Sequence, residues 1–143
     1  MITRLLAAAV AGGVAMFAFG FLIYGLVLDP MLMRPNMNVY PGLVNDPPMF
    51  VPLALGNLVS GFLLAYIYEK WAGIRTFATG AQAGAIIWFL FALSVQLMFI
   101  AFMNLSKNYI PPISDVIGST VLGGISGGVV GFVLGVMHKP AAE

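Results

Sequence analysis

The sequence predicts an all-α membrane protein, a bundle of four transmembrane helices forming a single transmembrane domain over residues 1–143, with both termini cytoplasmic. Three observations carry this. The chain is 61% hydrophobic and only 8% charged, where a soluble domain carries about 25% charged residues. Four apolar runs, at about 4–28, 50–68, 78–104 and 113–137, each approach or exceed the roughly 20 residues that a helix needs to cross a bilayer. The charged residues fall at the ends of these runs or between them, as a bilayer requires when a charge at its centre costs several kcal/mol. Orientation follows from the basic residues: Arg4, Lys70, Arg75 and Lys139 lie on one side, Arg34 and Lys107 on the other, and the basic-rich side faces the cytoplasm.

The first run follows MITR and is too long for the core of a secretory signal, which takes about 7–15 apolar residues. It is therefore read as a span. The outer loop 29–49 comes next, where Pro30, Pro35, Pro41, Pro47 and Pro48 argue against regular helix. Its Met, Leu, Val and Tyr residues are too apolar for a freely solvated loop and lay it on the outer ends of the bundle. The second span ends in the short turn EKWAGIRT, with Tyr66, Tyr68 and Trp71 as interfacial anchors. The third span leads through NLSKNYIPP into the fourth, ISDVIGSTVLGGISGGVVGFVLGVM.

The fourth span organises the rest. Gly123, Gly127, Gly131 and Gly135 recur at every fourth position, with Gly124 and Gly128 beside them. In water each glycine costs a helix about 1 kcal/mol against alanine; in lipid, bare backbone lets helices approach closely and gain van der Waals contact. Gly80 and Gly84 in the third span and Gly12 in the first supply partner surfaces. His138, beside Lys139, is read as an interfacial residue. Two two-span halves show a possible parallel duplication: AGGVAMFAFGF (11–21) resembles AGAIIWFLFAL (83–93), and GFLLAYIYEK (61–70) resembles GFVLGVMHK (131–139).

Small residues gather toward the cytoplasmic ends of the spans and aromatic residues toward the outer ends. The inner half should therefore be closed, with an outward crevice in which Tyr24, Asn57, Trp88 and Gln96 would be the lining groups. At the outer surface Asp29, Asp46 and Asp115 collect, with Asp46 and Asp115 read as helix starts. Met31, Met33 and Met37 lie there too, and soft thioethers or hard carboxylates offer a less favoured metal site. The chain has no cysteine, so thiol chemistry and disulfides are excluded. No nucleophile–base pair, phosphate loop or haem-ligand pair appears, so no cofactor and no enzymatic activity are expected. No basic cluster points to nucleic acid.

ALGN (54–57), WAGIRTF (71–77), GAQAGAII (80–87) and NLS (104–106) resemble a family of small, uncharacterised bacterial four-span proteins over about residues 46–135. The resemblance implies a bacterial inner-membrane bundle and carries no functional residue with it. Three readings follow: an assembly protein, working by helix packing as a homo-oligomer or as an accessory subunit of a membrane-protein partner; a binder or carrier of a small lipophilic or neutral solute in the outward crevice; and a metal-handling or enzymatic site at the outer Asp and Met residues. The bilayer itself is the one partner common to all three.

Overall fold

The computed structural model describes residues 1–138 and contains four helices long and apolar enough to cross a membrane: α1 (Ile2–Asn36), α2 (Phe50–Ala72), α3 (Phe77–Phe102) and α4 (Ile110–Val136). Among the described residues there is no β-strand, only one isolated bridge. Lys139, used above for orientation, lies outside the described residues.

The first helix corrects the expected loop boundary. It does not stop at residue 28. Beyond Gly20 it widens into π-helical turns over Phe21–Met33, carries Pro30 inside them, and closes in a 3-10 turn at Arg34–Asn36. A proline removes one backbone donor and crowds the preceding turn of an α-helix; the wider π turn gives the ring space. Asp29 and Arg34, five residues apart, share a face there and pair at 2.8 Å, while Asn36 Nδ2 donates to the Leu32 carbonyl at 2.8 Å and closes the end. At about 1.5 Å per residue the 35-residue helix is roughly 50 Å long, well beyond a hydrocarbon core of about 30 Å. The outer loop thus shrinks to residues 37–49, and its first part is stitched to the α3–α4 connection. Asn38 N donates to Leu105 O at 2.9 Å, Lys107 N to Asn36 O at 2.8 Å, and Tyr40 Oη to Asn104 O at 2.6 Å.

The remaining ends follow local rules. Gly73, at φ +62°, ends α2 in the left-handed conformation. Thr76 caps α3 by accepting from Thr79 N at 3.2 Å. Pro111 and Pro112 do not precede α4 but form its first turn, where their missing donors would be unpaired in any case.

The four helices do not pack evenly. α3 lies on α4, α2 lies on α1, and α1 and α4 join the two pairs, whereas α2 and α3 scarcely meet. An exact twofold duplication would repeat the α1–α4 contact between α3 and α2, and it does not. The core, including Leu5, Ala8, Met16, Leu64, Tyr68, Val130 and Leu134, sits in the half of the molecule that holds Arg4, the basic end. That half is closed, as the placement of small residues predicts.

Candidate functional site

The glycines are structural and face inward. On α4, a Cβ at Gly127 would meet Gly80 O, Tyr68 Oη at 2.6 Å and Gly84 Cα at 2.9 Å; at Gly131 it would meet Thr76 O and Gly80 Cα; at Gly135, Arg75 O. Gly123 lies under Trp88 and Gly128 under the Phe77 ring. In return, Gly80 and Gly84 on α3 face the Gly127 and Gly123 carbonyls. Gly12 sits at a three-helix junction against Val130 of α4 and Gly61 of α2, and its carbonyl accepts from the buried Ser126 Oγ at 2.9 Å. Gly124 departs from the expected packing role: its nearest neighbours would be Ala81 O and Ala85 Cβ, both at 3.6 Å, so a methyl group fits. Gly13 and Gly61, which bring α1 onto α2 backbone to backbone, and Gly118, under Tyr24 and Leu28, make close contacts that the four-residue glycine pattern of α4 does not announce.

The expected crevice is taken apart and partly rebuilt. Asn57 donates to Leu53 O of its own helix at 2.8 Å and joins no interhelical site. Trp88 packs on Gly123 and edge-on to Phe91, with ring centroids 5.4 Å apart. Tyr24 and Gln96 do converge, on Asp115, which the sequence alone suggests as a helix start. Asp115 is not a cap; it lies five residues into α4, facing the bundle. Gln96 Nε2 of α3 donates to Asp115 Oδ2 at 2.7 Å, and Tyr24 Oη of α1 lies 3.0 Å from Asp115 Oδ1 and 2.8 Å from Ser119 Oγ. Three helices thus meet at one carboxylate. The signal available in sequence was the spacing itself: Asp115 and Ser119 are four apart, on one helix face.

Just beyond this cluster, toward the loop end, is a cavity of about 470 Å³. Its walls combine Met33 from α1, Met37 from the outer loop, Gln96 and Phe99 from α3, the connection 103–109, and Pro111 and Pro112 of α4. Of the four crevice residues named from sequence, only Gln96 reaches it. The carboxylate half of the metal reading is not rebuilt. Asp29 and Asp46 both pair with Arg34, Met31 is exposed, and among the described residues no group of three or more acidic or histidine side chains is placed to hold a metal. Asp46 also caps nothing, since α2 begins at Phe50 after Met49.

At the basic end a second polar group forms that the sequence reading missed. The Glu69 side chain of α2 is almost fully buried and faces two arginines, Arg4 Nη2 of α1 and, at 2.8 Å, Arg75 Nη2 of the α2–α3 turn. Arg4 Nη1 also donates to His138 Nδ1 at 3.0 Å. His138 is thus tied to α1 in addition to standing at the end of the last span.

Gln96→Leu is expected to lower stability by about 1–3 kcal/mol, because Asp115 Oδ2 loses its donor in a partly buried setting. Asn57→Leu, which touches no interhelical bond, should stay within about 0.5 kcal/mol. Unfolding in detergent followed by tryptophan fluorescence checks both, and equal effects would show that the Gln96 bond is not maintained.

Fold and site together define a four-helix membrane protein with an inward carboxylate beneath a cavity at its loop end. Comparison of the chain with protein-family models, curated proteins and solved structures finds no match.

Proposed function

We propose that this protein binds or carries a small solute with an apolar body in the cavity at the loop end. The observation that carries this reading is the junction of that cavity with a polar cluster drawn from three helices, through Gln96. A largely apolar lining with a few converging polar groups is the usual composition of a ligand site. The assembly reading has less to stand on: the glycine faces that recommended it are occupied by backbone of the same chain. Native mass spectrometry of gently extracted protein tests the choice. A small molecule retained one to one, and lost in Met103→Trp at the cavity wall while that variant keeps its thermal stability, supports solute binding. A protein partner or a defined homo-oligomer with an empty cavity favours assembly.

The proposed setting is a bacterial inner membrane with the basic end cytoplasmic, supported by the resemblance over residues 46–135 and by the excess of Arg and Lys at that end. Because the chain has no cysteine, single cysteines report topology directly. Lys107→Cys should react with a membrane-impermeant maleimide from outside the cell and Ala72→Cys should not. The opposite pattern would invert the topology.

A further inference from the structure

Resting on the solute-binding reading, the geometry points to a more specific ligand: a small monoamine, whose ammonium group is received by Asp115 and whose apolar body fills the cavity above it. Pro111 and Pro112 line the cavity, and Asp115 follows them by four and three residues, so it lies one helical turn deeper on the same face. Gln96 joins the two levels, with its side chain at the cavity wall and its Nε2 on Asp115 Oδ2. Gln96 therefore links the carboxylate it binds to the open volume it lines, and its rotation is the step that admits the ammonium to Oδ2.

The charge balance favours a cation. An ionised carboxylate only accepts hydrogen bonds, and here its two oxygens receive neutral donors, Tyr24 and Gln96. Among the described residues no cationic side chain pairs with Asp115: Arg34 is taken by Asp29 and Asp46, and Arg4 and Arg75 meet Glu69 at the opposite end. A carboxylate held within a transmembrane helix and lacking a countercharge is an incomplete pair, and an ammonium ligand completes it by a charge-assisted bond. Phe99 and Tyr109 add aromatic rings to the cavity wall, and the thioethers adapt to an irregular apolar body. Lys107 also lines the cavity, with its amine turned onto Pro35 O at 3.2 Å. Its positive charge opposes a second ammonium group on the ligand, while the first is compensated by Asp115.

The test is isothermal titration of the full-length protein in detergent with 2-phenylethylamine and with its neutral isostere 2-phenylethanol, each blanked against empty micelles. The amine is expected to bind about tenfold tighter or better than the alcohol, the equivalent of one favourable charged contact, and this preference should vanish in Asp115→Asn. Equal binding of amine and alcohol overturns the carboxylate assignment and leaves the cavity reading standing. An amine preference that survives in Asp115→Asn overturns it as well. If neither compound binds at millimolar concentration, the solute-binding reading falls with it. Should Asp115→Asn fail to fold, equal binding of amine and alcohol by the unaltered protein still overturns the proposal.

Discussion

Gly127→Leu is expected to abolish the folded protein, while Gly124→Ala, three residues away on the same helix, is expected to leave it intact. At Gly127 any side chain enters a space bounded by Gly80 O, Tyr68 Oη and Gly84 Cα. Two of these are backbone and cannot rotate away. Tyr68 is fully buried, and its hydroxyl is held by the Gly80 carbonyl at 2.6 Å. Overpacking a core costs about 1–3 kcal/mol when side chains can adjust; here α3 must move off α4, and the loss exceeds that range. α3 has no other extensive contact to hold it, so it detaches. Size-exclusion chromatography after mild extraction, with limited proteolysis at the α2–α3 turn, reads the result. A monodisperse, protease-resistant Gly127→Leu protein would mean that α3 and α4 are not in backbone contact. The Gly124→Ala control separates this from a general intolerance of the glycine-rich helix, since its nearest atoms at 3.6 Å accommodate a methyl group.

The contrast between Gly124 and Gly127 also shows what a sequence of this kind discloses. Length and apolarity are properties of single segments, so the four helices follow from the chain alone. The four-residue spacing of glycine identifies the face of α4 that will be approached by backbone, and Gly80 and Gly84 are recognisable as its complement. What spacing lacks is the partner's register. Gly124 and Gly127 look alike until α3 is in place, and the pairing of Gly13 with Gly61 joins faces with no comparable repeat.

The failures have equally local causes. Five prolines between residues 30 and 48 suggest a loop, because proline opposes α-helix; the helix persists by changing its winding around Pro30, and no pattern in the residues signals a π turn. In the sequence alone Pro111 and Pro112 look like punctuation before a helix, which puts Asp115 at its start. Once Pro111 and Pro112 are in the first turn, the carboxylate moves inside and meets Gln96, nineteen residues earlier, and Tyr24, ninety-one residues earlier. Within α4 the four-residue spacing of Asp115 and Ser119 marks one face, but the partners that α1 and α3 bring to it stand at no fixed sequence spacing. Asn57 shows the converse: a polar residue in a span suggests a site, yet its own helix satisfies it.

Glu69→Gln should be the most damaging single substitution outside the glycine contacts, costing about 3–5 kcal/mol, the range for breaking a buried ion pair by removing one partner. Glu69 stands between Arg4 and Arg75 with only 3% of its side chain exposed, and the arginines are themselves 19% and 24% exposed. Removing its charge leaves two guanidinium groups facing each other across a neutral amide at the closed end of the bundle, with His138 beside Arg4 offering no compensating charge. The network joins the start of α1, the end of α2 and the turn into α3, so its loss loosens the three places where the core is anchored. A double-mutant cycle with Arg4→Gln isolates the pair: Arg4→Gln with Glu69→Gln should be less unstable than the sum of the two single variants, because removing Arg4 relieves the repulsion that Glu69→Gln creates. The measurement is reversible unfolding in mixed micelles, monitored through tryptophan fluorescence. A loss below about 1 kcal/mol for Glu69→Gln would place these charges among solvated surface pairs and show that the basic end is open to water. Strict additivity in the cycle would mean that Arg4 and Glu69 do not interact in the membrane protein at all.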